Sequence, residues 1–240
     1  GSERCIRDRI IVGAGPAGIF TAVELFRRGA HKKILMVEKG QSVEKRSCPK
    51  SKTQKCVNCQ PCNITTGFSG AGAFSDGKLS LNHEVGGDFP NLVGPDFAQS
   101  LIDYTDQIYL EFGADPHVEG VSDPDKIRII RRRAIRAGLK LVDCPIRHLG
   151  TEKAQKLYLA LENYLRDNDV ELLFGWECEE LLMDGETCLG VSLRKGDQTQ
   201  EIRAGHGLRL LGEVDHGGAA GIEFLQSGSV PLCCQIGNFN

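Results

Sequence analysis

The chain has 240 residues, enough for one large domain or two small ones. Its formal net charge of -3 and pI near 6.1 exclude an overall electrostatic case for nucleic acid or an anionic membrane surface. Glycine, at 29 residues, is about 12% of the chain against a usual ~7%, so tight turns are many; with 9 prolines the two reach about 16%, below the ~25–30% of a disordered tract. No apolar run approaches the ~20 residues of a membrane helix, and no charged-then-apolar leader opens the chain. Cytoplasm is the expected location, with no membrane or nucleic-acid partner.

Residues 9–13 form a short apolar run rich in β-branched side chains that ends at Gly13, the pattern of a buried strand. Residues 16–29 follow with apolar Ala17, Phe20, Ala22, Val23, Leu25 and Phe26 and a stop at Gly29, which predicts a helix. Ile34 to Val37 is a second apolar run closing on Glu38. Strand, helix and strand within about thirty residues make a βαβ unit.

From Gly40 to about Pro95 the periodicity dissolves, and a stretch this long without pattern is usually functional. Helical spacing returns at 96–113 with Phe97, Leu101, Tyr104, Ile108 and Leu110. Asp123-Pro124 is a cap and first-turn pair opening a basic helix from Lys126 to Arg136. Its Ile127, Ile130 and Ile135 predict one buried side. Thr151 caps a helix to about Arg166 with Leu157, Leu161 and Leu165 on one face. Val170–Phe174, Trp176–Met183, Thr187–Leu193 and Gln198–Arg203 read as strands, with a hairpin turn at Asp184-Gly185.

Gly13-Ala14-Gly15-Pro16-Ala17-Gly18 fits G-x-G-x-x-G. Alone the pattern is weak. Here it follows a strand, opens a helix and is followed by an acidic residue, Glu38, twenty positions after Gly18. Gly13 permits the tight turn, Gly15 lets backbone approach a pyrophosphate, and Gly18 lets helix and strand pack closely. The helix N-terminus offers unpaired N–H groups to phosphates. Glu38 can accept from ribose hydroxyls and would repel a 2′-phosphate, which disfavours NADP. The fingerprint does not choose between FAD and NAD.

The opening Ile10-Ile-Val-Gly-Ala-Gly-Pro-Ala-Gly18 with Val37-Glu-Lys-Gly40 resembles the FAD-binding half of the glutathione-reductase-type flavoproteins. Gly67-Phe-Ser-Gly-Ala-Gly-Ala-Phe-Ser-Asp-Gly-Lys-Leu79 is more specific. It resembles the "GGAG-F-SDGKL" motif of a family of poorly characterised FAD-dependent dehydrogenases, as His148-Leu-Gly-Thr-Glu-Lys153 resembles that family's "H-x-G-T-D-K". The likeness spans roughly residues 9–204. It implies an α/β fold, a Rossmann-type FAD-binding domain with a parallel sheet plus a β-hairpin or meander and a helical insertion. Residues 1–95 would be the first part of that domain with a Cys-rich loop, 96–168 the insertion, 169–204 the return, and 205–240 a divergent or truncated tail. That tail carries neither the Ala-Thr-Gly-like turn nor the later Gly-Asp motif of the family. The resemblance also implies that Gly13, Ala14, Gly15, Pro16, Ala17 and Gly18 meet the FAD pyrophosphate and that Glu38 holds the ribose. Lys39 would flank adenine, Cys178 would offer it a backbone group, and Arg46 would lie near the cofactor. Ala71, Gly72 and Ser75 would run along the flavin.

Of ten cysteines, Cys48, Cys56, Cys59 and Cys62 crowd into fifteen residues. In a reducing compartment such a cluster binds metal or does redox chemistry more often than it forms structural bridges. Four thiolates suit an iron–sulfur cluster or a tetrahedral Zn²⁺; a redox dithiol, or unligated thiols in a surface loop, are the other readings. Asp76 and Lys78 are titratable candidates near a flavin. The six histidines, His31, His83, His117, His148, His206 and His216, show no metal-binding spacing. The basic helix reads as a solvated face, since no aromatic residues interleave. The expected function is an FAD-dependent oxidoreductase acting on a small-molecule substrate or electron donor. An electron-transfer or redox-sensing module with a Cys-ligated metal centre, and a thiazole-synthase-like enzyme that uses a dinucleotide, are the alternatives.

Overall fold

The structure, a computed structural model, describes residues 7–29, 33–75, 77–185 and 187–204. Asp76, His31, His206, His216, the stretch 205–240 and the side chain of Thr151 lie outside the described residues. In chain order the elements are β1 (Arg9–Val12), α1 (Pro16–Arg27), β2 (Ile34–Glu38), α2 (Lys50–Thr53), β3 (Lys78–Ser80), α3 (Phe89–Val93), α4 (Pro95–Glu111), α5 (Pro124–Arg136), β4 (Ile146–His148), α6 (Thr151–Asp167), β5 (Glu171–Phe174), β6 (Glu177–Asp184), β7 (Thr187–Lys195) and β8 (Gln198–Arg203). The result is a mixed α/β fold with a parallel sheet. The described chain divides into two compact units, residues 7–73 with 158–204, and residues 74–157. The division falls inside α6, between Leu157 and Tyr158.

The first unit is built on the parallel sheet β1-β2-β5. Ile10 pairs with Leu35 and Val12 with Val37, and on the other edge of β2 Glu38 pairs with Phe174. All five residues of β2 are buried, as expected for a strand with neighbours on both edges and both faces covered. Alternation divides the side chains between two layers. Ile10, Val12, Leu35 and Val37 form one core cluster with Val191 and Leu193 of the antiparallel meander β6-β7-β8. Ile11 points the other way, toward Gly18 of α1. Past β8 the chain returns to the sheet, and Ala204 makes a parallel bridge with Arg7 just before β1.

The second unit holds α3, α4, α5 and the two-stranded antiparallel ribbon β3–β4, in which Lys78 lies opposite His148. Its buried anchor is Arg147, 4% exposed, whose Nε and Nη2 reach the two carboxylate oxygens of Asp106 at 2.5 and 2.7 Å. Asp123 caps α5 through its carboxylate, which accepts from the Lys126 amide at 2.9 Å. The expected buried side of α5 is not found. None of its residues is buried, and Ile130 and Ile135 are 45% and 66% exposed. Only the narrow stripe of Ile127, Arg131 and Ala134 is partly covered, because Arg131 turns to Asp143 and shares the inner face with the apolar residues. No helix among the described residues is long and apolar enough to cross a membrane.

Candidate functional site

The glycine turn sits where β1 ends and α1 begins. Gly13, at φ +92°, takes a backbone conformation that other residues rarely adopt, and its amide donates to the Val37 carbonyl at 2.7 Å. That bond ties the turn to the end of β2. Gly15 is the N-cap and Pro16 opens the helix with its fixed φ, where a missing N–H costs nothing. A Cβ placed on Gly13 or Gly15 would meet no heavy atom within 4 Å, so open space lies in front of both. A Cβ on Gly18 would lie 2.1 Å from the Gly13 carbonyl oxygen and 3.2 Å from Ile11 Cγ2. The first two glycines leave a cradle, and the third allows helix and strand to touch.

Glu38 closes one side of this turn. It is 7% exposed, and its carboxylate accepts from the Ala14 amide at 2.9 Å and from the Gly40 amide at 2.8 Å. Each oxygen keeps a further acceptor site, since an ionised carboxylate offers about four. The two amides hold the carboxylate at the carboxyl end of β2, beside the cradle. Lys39 is half-exposed and 3.9 Å from Glu177, the residue before Cys178. Cys178 packs against the meander core, and burial pushes its thiol up to about 11, so the sulfur stays protonated at neutral pH.

Arg46 is 4% exposed and serves as a clamp. Its Nε, Nη1 and Nη2 donate to the carbonyls of Asn63, Phe68 and Ile64 at 2.8, 2.7 and 2.7 Å. Burial draws its pKa down, while the negative charges of Glu38 and of the Cys62 thiolate oppose that. The loop it grips leads back to the glycine turn, because the Phe68 amide donates to Gln41 O at 3.0 Å and the Ser69 amide to Ala14 O at 2.7 Å. Ser69, fully buried, was not singled out by sequence. Its hydroxyl accepts from the Ala73 amide at 3.1 Å and starts the 3-10 turn Gly70–Phe74. Ala71 and Ser75 are exposed at and just after this turn. Gly72 faces the Tyr158 hydroxyl, which a Cβ would approach to 2.8 Å. The structure thus joins Gly13–Gly18, Glu38 and the 67–74 segment into one hydrogen-bonded assembly, with Arg46 behind it.

The cysteine loop is organised differently. Among the described residues no three His, Cys, Asp or Glu side chains gather where a metal ion could be held, so the structure lends the iron–sulfur and zinc readings of Cys48, Cys56, Cys59 and Cys62 no support. All the described cysteines are free thiols. Cys48 and Cys59 are half-buried, Cys56 and Cys62 exposed. The short helix α2 and left-handed residues at Gln54 and Asn58 set the course of the chain between them, and none of residues 49–62 is buried. Cys62 has a distinct setting. The nearby Ile64 and Thr65 amides, the Thr65 hydroxyl and the Arg46 charge all favour its thiolate, which holds its thiol below the ordinary value.

No protein-family model matches the chain. It is 43% identical over 82 residues to a protein of Clostridium beijerinckii described as uncharacterized, an alignment covering 33% of this chain and 15% of that one. Its fold is similar to the 3-ketosteroid-Δ4-(5α)-dehydrogenase of Rhodococcus jostii RHA1, solved with 4-androstene-3,17-dione, at a TM-score of 0.52 and 14% identity over 87% of this chain and 46% of that one. The L-amino acid deaminase of Proteus vulgaris aligns at a TM-score of 0.46 and 15% identity, over 89% of this chain and 49% of that one. The chain therefore spans about half the length of these solved proteins and a smaller part of the clostridial one. At this identity the likeness to the dehydrogenase is one of fold, a fold that an oxidoreductase of known structure also uses.

Proposed function

We propose that this chain is the dinucleotide-binding part of an FAD-dependent oxidoreductase of the dehydrogenase type. The observation that supports this most is the open cradle at Gly13 and Gly15 in front of α1, with the buried Glu38 carboxylate beside it. A diphosphate suits that cradle because backbone amides and the helix dipole face it with no side chain in the way. Gly15, Pro16, Ala17 and Gly18 would hold the pyrophosphate, while Gly13 and Ala14 shape the turn. Glu38 would accept from ribose hydroxyls with its remaining lone pairs. Lys39 and the backbone at Cys178 would border the adenine. Ala71, Gly72 and Ser75 would border the flavin, and Arg46 would act by fixing the loop that carries them. The flavin, when bound, supplies the acceptor for a hydride or electrons. The donor is a small molecule.

The test is cofactor retention. Purified chain mixed with excess FAD and NAD and then desalted is expected to keep FAD, read from its absorbance and from the released nucleotide. Gly15→Val, which fills the cradle, is expected to lose it with the fold intact. A folded chain that keeps neither nucleotide would overturn the reading. A second reading, a redox-sensing flavoprotein module, is favoured by the Cys62 setting and by the bonds that run from its loop to Ala14.

A further inference from the structure

The second unit carries an open surface cavity that the dinucleotide reading does not use. It has a volume of about 340 Å³ and is lined by Asp115, His117, His148, Leu149, Gly150, Glu152 and Lys153. Most of the His148-Leu-Gly-Thr-Glu-Lys153 motif therefore forms one wall. The cavity has a firm frame. Arg147, buried behind it on Asp106, donates to the Asp115 and His117 carbonyls at 2.6 and 3.4 Å and so fixes the opposite wall. Leu149 is 1% exposed and gives an apolar floor, held by its amide bond to Gly77 O at 2.9 Å.

Both signs of charge line this space. Lys153 Nζ lies 2.8 Å from Asp115 Oδ2, and His148 Nε2 lies 3.3 Å from Glu119 Oε2 just beyond the lining. Glu152 adds a second lining carboxylate. The Lys153 ammonium and the His117 amide hold the Asp115 carboxyl below the usual carboxylate range, so it is charged at neutral pH. A purely anionic ligand would face Asp115 and Glu152, and a purely cationic one would face Lys153. A ligand with a carboxylate and an ammonium finds a partner for each. The Lys153–Asp115 pair is partly exposed, with side chains 65% and 39% accessible, and such pairs are weak enough for a ligand to open.

We propose that this cavity binds a small zwitterion of the α-amino-acid type, its carboxylate on Lys153, its ammonium on Asp115 and Glu152, and an apolar side chain over Leu149. The site lies wholly within the second unit and does not depend on the flavin reading. Calorimetric titration of the full chain with L-leucine, 4-methylpentanoate and 3-methylbutylamine tests it, since the last two each lack one charged group of the first. L-leucine is expected to bind at least tenfold more tightly than either. Asp115→Asn is expected to weaken L-leucine tenfold while 4-methylpentanoate, relieved of a like charge and given a freed Lys153, binds at least as tightly as to the parent chain, which also reports an intact fold, and Lys153→Met is expected to weaken both acids. L-leucine that fails to bind, binds no better than its two analogues, or binds both variants as it binds the parent chain, would overturn the proposal.

Discussion

The glycine turn and the cysteine loop lie within fifty residues of one another and both carry a recognisable spacing, yet only at the turn is that spacing fixed by flanking strands and a helix. At the turn, each spacing element has a physical counterpart. Gly13 adopts a left-handed φ, Gly18 lies against the Gly13 carbonyl, and Glu38 is fixed by two amides at the end of a fully buried strand. In the cysteine loop the thiols lie on exposed or half-buried chain, and no group of three metal-ligating side chains converges among the described residues. Secondary structure on both flanks fixes the geometry of the first motif before any ligand arrives; the second has no such frame.

The sharpest way to break the contrast is to add single methyl groups to the turn. Gly18→Ala puts a Cβ 2.1 Å from a backbone oxygen that has no room to yield. It is expected to cost about 3 kcal/mol by overpacking and to lower Tm by about 10 °C, with loss of bound nucleotide. Gly15→Ala meets nothing within 4 Å and has an ordinary φ of -73°. It is expected to leave Tm of the nucleotide-free chain nearly unchanged while weakening FAD retention. Thermal melts with and without FAD separate the two. Equal loss of stability in both variants would show that the cradle is a packing feature.

A smaller effect is expected at Arg46, which joins the two regions. Arg46→Met keeps much of the buried stem and removes donors from the carbonyls of Asn63, Ile64 and Phe68. Unsatisfied buried carbonyls of this kind cost about 2 kcal/mol together. Limited proteolysis is expected to cut first between residues 47 and 66. If cleavage sites and stability match the parent chain, Arg46 is not the clamp.

The periodic elements were legible in the sequence. β1, α1, β2 and the strands from β5 to β8 lie within a residue or two of their expected bounds, because buried runs and 3.6-residue spacing are local signals. The ribbon β3–β4 was not legible. It is three residues on each side, pairs Lys78 with His148 across 70 positions, and carries no alternation of its own. The buried clamps were also invisible, since nothing near Arg147 announces Asp106, and nothing near Arg46 announces three carbonyl partners. On α5 the isoleucine spacing was misleading, because Arg131 occupies the inner face and leaves Ile130 and Ile135 at its exposed margins. The cysteine spacing left several readings open, and it carries no information about how the chain between the thiols is folded.

The smallest effect concerns two thiols with opposite surroundings. Cys62 is exposed, and the Ile64 and Thr65 amides, the Thr65 hydroxyl and Arg46 nearby favour its charged form, so its thiolate is populated at a lower pH than that of an ordinary cysteine. Cys178 is desolvated, and its pKa of about 11 keeps it protonated far into the alkaline range. Alkylation by iodoacetamide, followed by mass spectrometry across pH 6–10, is expected to label Cys62 first and at the lowest pH, and Cys178 last. Thr65→Val removes one group that favours the Cys62 thiolate and is expected to move its labelling profile upward in pH without moving that of Cys178. The Arg46→Met variant is expected to do the same through lost charge. If Cys62 and Cys56 label at the same pH in the parent chain, the amide setting of Cys62 has no chemical consequence, and the case for a redox-sensing role weakens with it.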